Sequence, residues 1–305
     1  MDFGEVPLAQ LPDVDFALPP DPELTRLVLN KKMTEKPEIY VGCAKWGRKE
    51  WVGMIYPEKT KEANFLDEYV KHFNSIELNA VFYQMPRREQ LLSWKQKAEK
   101  VRSDFKFFPK ITRSISHIRR LKNAEEDTST YLRNISEFGG TLGPCFLQLS
   151  DNFGPKNFEI LKSYLEALPE DFDLFVEVRH PEWFASETAR RELFDLLYTL
   201  KKGAVITDAS GRRDCVHMEL PTPHAFIRFV GNGLHPTDFQ RIDEWIARLK
   251  EWQEKGLESI YFFLHQHDEK DTPILADYTI RKMNEVLGST IIPPQFLKKA
   301  SLFEI

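Results

Sequence analysis

The sequence predicts a single (β/α)8 TIM barrel with an N-terminal arm and a short C-terminal tail, and three observations lead there. From residue 39 onward, eight short apolar strands alternate with amphipathic or helix-favouring stretches of 10 to 18 residues. No repeat of 20 to 50 residues and no low-complexity segment competes with that rhythm. The length of 305 residues would allow two modest domains or one large barrel, and the alternation selects the barrel.

Residues 1–36 read as the arm. Five prolines fall between residues 7 and 22, and no helical or strand period is sustained before LTRLVLNKK at 24–32, which predicts one short helix. Phe3, Val14, Phe16 and Leu18 give the arm enough apolar character to lie along the main body. The barrel follows over 37–288, with strands expected at 39–44, 75–80, 105–110, 145–150, 173–178, 203–208, 225–230 and 259–264. Helices fit between them at 62–73, 88–102, 123–138, 157–168, 187–200, 238–253 and 272–287. Only the connection SGRRDCVHMELPTPH, between the sixth and seventh strands, is too short and proline-broken for a helix. Residues 289–305 form the tail.

Composition narrows the function classes. With 42% hydrophobic and 29% charged residues the chain is neither disordered nor fibrous, and it has no run of the roughly 18 apolar residues a membrane span needs. The start, MDFGEVPLAQLP, lacks a signal-peptide pattern, so a cytoplasmic location and no membrane partner are expected. Cys43, Cys145 and Cys215 are odd in number and widely spaced, which argues for small buried side chains rather than disulfides or a zinc site. A net charge of -5 does not support nucleic acid as a partner through bulk charge; any anion site must be local.

A barrel of this kind works at the C-terminal ends of its strands, so inward-pointing side chains there are the candidates. If apolar residues face the outer helices, Glu77 and Asn79 point inward from the second strand, and Glu177 and Arg179 from the fifth. The same parity brings in Lys110, Gln148, Asp208 and Arg228 from the third, fourth, sixth and seventh. These charges form either a self-satisfying ion-pair plug or a polar pocket poised for a ligand. Gly231, in the run Gly231-Asn232-Gly233 after the seventh strand, offers either backbone amides to an anion or a simple turn. His265 and His267 alternate at the end of the eighth strand and could chelate a divalent metal with a carboxylate. Trp46, Tyr83 and Trp183 are candidate stacking faces at the rim, and His117 lies in a basic stretch over 110–122.

The segments SIELNAVFYQMP, FKFFPKITRSISH, FVEVRHPEWF, FIRFVG and YFFLHQHDE resemble, in this order, domain-of-unknown-function family 72, the YecE-like TIM barrels. The resemblance spans about residues 37–287 and is most specific at E-x-N-x-x-F-Y (77–83) and E-x-R-H-x-x-W (177–183). It implies a barrel related to the xylose-isomerase and endonuclease-IV type, without a settled activity. It marks Trp46, Glu77, Asn79, Tyr83, Lys110, His117, Gln148, Glu177, Arg179, Trp183, Asp208 and Arg228. At the eighth strand His265 and Gln266 stand where a pair of asparagines is expected.

Three functions compete. The first is a hydrolase or isomerase that needs no cofactor and acts on a small anionic, phosphorylated or sugar-containing substrate. There Arg228, Arg179 and Lys110 would hold the anion, Glu77 and Glu177 would serve as general acid and base, and Asp208 would orient a partner. The second adds a divalent metal on His265 and His267. The third is a non-catalytic adaptor whose tail, KKASLFEI, resembles clamp-binding peptides of bacterial replication and repair proteins.

Overall fold

In the computed structural model, which describes residues 4–31 and 35–297, eight parallel strands are ordered β3-β2-β1-β8-β7-β6-β5-β4. They are β1 (Glu38–Cys43), β2 (Ser75–Leu78), β3 (Lys106–Pro109), β4 (Cys145–Gln148), β5 (Leu174–Glu177), β6 (Gly203–Asp208), β7 (His224–Gly231) and β8 (Ser259–Gln266). Backbone bonds from Gly143 N to Phe107 O and from Ile111 N to Phe146 O, both 2.8 Å, complete the ring between β3 and β4. The fold is a single (β/α)8 barrel.

The helices are α1 (Glu23–Val28), α2 (Phe65–His72), α3 (Arg88–Val101), α4 (Glu125–Ile135), α5 (Phe158–Glu166), α6 (Glu182–Ala185), α7 (Glu187–Thr199), α8 (Pro236–Glu254) and α9 (Thr272–Leu287). Their ends follow local chemistry. Ser186 caps α7 by accepting from Ala189 N, Pro236 opens α8 behind the His235 side-chain cap, and Gly288 closes α9 in the left-handed region at φ 69°.

Two cores share the strands. The outward faces pack with the helices around buried Trp51, Trp183, Trp245 and Trp252. The lower interior is filled by Phe108, Phe146, Phe175, Val205, Phe226, Tyr261 and Phe263, with Tyr40 against them. Such rings leave no pore, so polar residues one layer higher lie on an apolar floor. Room for the rings comes partly from Gly203, where a Cβ would sit 2.2 Å from the Phe175 ring.

The β6 parity differs from expectation. Val205 belongs to the interior cluster and Ile206 to the outer core, so Thr207 points inward and Asp208 outward. Asp208 accepts from Trp245 Nε1 (2.6 Å) and Arg241 Nη2 (2.6 Å) on α8, and from Arg213.

As predicted, the β6–β7 connection has no α-helix, only a 3-10 turn at Arg213–Cys215. The arm packs there. Thr25 of α1 donates its hydroxyl to Met218 O and accepts from Leu220 N, both at 2.8 Å. The Phe16 ring lies 4.9 Å from the Arg241 guanidinium and 5.2 Å from that of Arg213. Asp21 binds Arg248 at 2.8 Å and Trp252 Nε1 at 3.0 Å. After α9 the chain folds back, with Gln295 N donating to His72 Nδ1 (3.1 Å) and Leu297 N to Met54 O (2.9 Å). The clamp-like segment 298–305 lies outside the described residues. Among the described residues no helix is long and apolar enough to cross a membrane.

Candidate functional site at the barrel mouth

Above the aromatic floor, strand ends converge on Arg228. Its guanidinium takes Glu77 bidentately, Nε to Oε2 at 2.9 Å and Nη2 to Oε1 at 2.8 Å, and gives Nη1 to Glu177 Oε2 at 2.6 Å. Glu177 Oε1 also accepts from Arg179 Nε (2.8 Å) and the Thr207 hydroxyl (2.9 Å). Lys110 Nζ donates to Gln148 Oε1 at 2.8 Å and lies 4.2 Å from the Phe82 ring centroid. All of these except Phe82 are buried.

Burial alone would raise both carboxyls, but the opposite charges win. Arg228 and His265 hold Glu77 well below the usual carboxylate range, and Arg179, Arg228 and Lys110 hold Glu177 down to about 2. Both are therefore ionised acceptors, poorly matched to the general acid and base roles expected of them. Lys110 is pushed down to about 7, first by burial and then by Arg228.

His265 points inward from β8, with Nε2 at 2.9 Å from Glu77 Oε2. An ionised carboxylate can only accept, so Nε2 carries the hydrogen, while Nδ1 faces Glu269 Oε1 at 3.8 Å. This is an imidazole oriented by an acid, a different arrangement from the expected metal pair. His267 is exposed beyond the strand, and among the described residues no group of three or more His, Cys, Asp or Glu is placed to hold a metal ion.

Between the ends of β1, β2 and β8 a cavity of about 420 Å³ is lined by Trp46, Glu77, Asn79, Tyr83, His265 and Gln266, with Lys45, His267 and Glu269 nearby. Two amides there are fixed by neighbours. Asn79 donates Nδ2 to Glu77 Oε1 at 2.7 Å, and Gln266 accepts at Oε1 from Gly233 N at 2.8 Å. The other atom of each, the acceptor Asn79 Oδ1 and the donor Gln266 Nε2, has no hydrogen-bond partner among the described residues. Trp46 is braced edge-on by Trp94 at 5.1 Å, and Tyr83 is 70% exposed at the rim.

Other expected site residues are elsewhere. Asp208 is turned away, as described. Trp183 is not a rim platform but is fully buried in the outer core, its indole donating to Phe153 O at 2.7 Å. The loop after β7 does not cradle an anion: Asn232 N donates to Asp238 Oδ2 and Gly233 N to Gln266 Oε1, both at 2.8 Å. Gly233 has φ 74°, the turn alternative, and a Cβ at Gly231 would lie 3.1 Å from Asp238 Oδ2. His117 sits in a π-turn at Ser114–Ile118, edge-on to Phe82 at 5.1 Å, and is lowered to about 4 by burial and then Lys110.

Gln266 and Thr207 were missed. The first was legible only as a departure from the expected asparagine pair, and the second was hidden by the parity error.

Fold and site together define a TIM barrel whose mouth is floored by buried, mutually neutralised charges beside a small polar cavity. The chain belongs to the family described as Protein of unknown function DUF72, which it matches over residues 40–296. It is 28% identical over 283 residues to the UPF0759 protein YecE of Escherichia coli (strain K12), a match covering 87% of this chain and 100% of that protein. Two crystal structures of a DUF72 family protein (EF0366) from Enterococcus faecalis V583 share the fold. One has a TM-score of 0.60 at 17% identity, covering 87% of this chain and 99% of that one. The other has a TM-score of 0.59 at 16% identity, covering 83% and 99%.

Proposed function

We propose that the protein is an enzyme of hydrolase or isomerase type that acts on a neutral, polyhydroxylated, sugar-containing ligand in the β1–β2–β8 cavity. One observation carries this reading: Asn79 and Gln266 both line the cavity, and each keeps a buried polar atom without a protein partner among the described residues, the acceptor Asn79 Oδ1 and the donor Gln266 Nε2. Hydroxyl groups donate and accept, so neighbouring hydroxyls on a sugar satisfy both. A phosphate dianion has no hydrogen for Asn79, and Arg228, Arg179 and Lys110 are already held by Glu77, Glu177 and Gln148. Trp46 and Tyr83 supply ring faces for the C–H surface of a sugar. His265 is the proton-transfer group, with Glu77 orienting its ring.

Saturation-transfer NMR with neutral and phosphorylated sugars tests this. Gln266→Glu keeps the oxygen that accepts from Gly233 N but replaces the lone donor with an acceptor. Neutral sugars should bind the wild type and weaken about 10-fold or more in Gln266→Glu, the size expected for leaving a polar group unpaired. Preference for phosphorylated sugars, or equal binding by the variant, would overturn the proposal.

A further inference from the structure

Just past the end of β3, the neighbour of β2 in the barrel, Lys110 is buried and lies beneath Phe82. Its Nζ bonds Gln148 Oε1 at 2.8 Å and lies 4.2 Å from the Phe82 ring centroid and 5.8 Å from that of Phe146. The charges around it come from several strands: Glu77 on β2, Glu177 and Arg179 at β5, and Arg228 on β7. The carboxylates of Glu77 and Glu177 are bound by the two arginines, Glu77 by Arg228 and Glu177 by both. An ammonium here is a third cation in a water-poor site, which favours the uncharged amine.

Phe82 is half-buried and ends the short 3-10 turn Asn79–Phe82, which has no side-chain cap. The same turn supplies Asn79 to the cavity wall, so a shift of this turn links cavity and amine. Edge-on contacts with Tyr83 (5.2 Å) and His117 (5.1 Å) hold the ring in place.

We propose that Lys110 is an imine-forming lysine for small aldehydes, with Phe82 as its cover. Nζ attacks the carbonyl carbon, forming the C–N bond while the carbonyl π pair moves to oxygen. One amine hydrogen passes to that oxygen to give a carbinolamine. The second leaves with the hydroxyl as water when the C=N bond forms, and no oxidant or reductant is required. The inference stands whatever occupies the sugar cavity, because its test reads an adduct on Lys110 and not turnover.

The full-length protein is incubated with glycolaldehyde and cyanoborohydride, which reduces any imine to a stable secondary amine, and labelling is located by peptide mass spectrometry. Exposed Lys59 and Lys201 are the internal references. Lys110 should label faster than both in the wild type, and Phe82→Ala should raise its rate about 10-fold or more while leaving the references unchanged. Labelling of Lys110 no faster than the references in both proteins overturns the proposal. Fast labelling that Phe82→Ala does not change overturns the role of Phe82 as cover. Circular dichroism of the variant identifies unfolding, which would raise labelling at every lysine.

Discussion

Arg228 spans the barrel to hold both oxygens of Glu77, at 2.9 and 2.8 Å, while giving its remaining nitrogen to Glu177 at 2.6 Å. All three side chains are at most 2% exposed, so neither carboxylate can recover its hydration if the guanidinium is removed. Arg228→Met should cost about 3–5 kcal/mol, the usual penalty for stranding a buried charge. Urea denaturation at pH 7.5 measures it, and a loss below about 1 kcal/mol would mean that solvent reaches the carboxylates.

The arm is expected to support the barrel wall beside β6. It covers the one connection built without an α-helix, through Thr25 on Met218 and Leu220 and through Phe16 on the two arginines that hold Asp208. Phe16→Ala removes a half-buried ring from both guanidiniums and should lower stability by about 1–3 kcal/mol, between a lost cation–π contact and a fully truncated core ring. Hydrogen exchange checks the location of the effect: protection should fall first at residues 209–220 and less in β1–β3.

These sites show why some of the barrel was legible and some was not. In β5 two charges, Glu177 and Arg179, fall on one face and set the phase of the strand. In β6, GAVITD is buried on both faces and has a single charge at its end, so apolar alternation gives no phase. What decides it is the α8 pair Arg241 and Trp245, more than 30 residues further along the chain, with no local signature. The glycine run after β7 allowed either an anion cradle or a turn, and the choice depended on Asp238 and Gln266 taking up the amides.

Acid should destabilise the protein in two overlapping windows. His217 is pushed down to about 3 by burial, donating Nε2–H to Val205 O at 3.1 Å and accepting from Glu219 N at 3.0 Å. Its ordinary value is 6.5, so between pH 6.5 and about 3 the unfolded chain binds a proton that the native ring refuses, and stability falls as pH falls. Glu177, held at about 2 against an ordinary 4.5, adds the same sign between pH 4.5 and 2. Each group contributes a slope of about 1.4 kcal/mol per pH unit within its window. Urea midpoints between pH 7.5 and 5 should decline, and His217→Gln should make the decline above pH 4.5 shallower, leaving the part that comes from His117. An unchanged slope in that variant would assign the effect to other groups.

Glu77 and Asp208 were expected to serve one site, and the structure separates them. Only Glu77 touches His265, at 2.9 Å, while Asp208 is tied to Arg241, Arg213 and Trp245 on the outer side of β6. The carboxylate of Glu77 is what places the imidazole hydrogen on Nε2, since an anion attracts an N–H more strongly than a neutral amide does. Nitrogen-15 NMR of the imidazole distinguishes the tautomers directly. The wild type and Asp208→Asn should both show the Nε2–H form of His265, whereas Glu77→Gln should shift the ring toward a mixture. Asp208→Asn should instead lose about 1–3 kcal/mol of stability, because Arg241 and Arg213 keep their burial without a charged acceptor. A changed His265 tautomer in Asp208→Asn would show that the two acids are coupled after all, and would return Asp208 to the site.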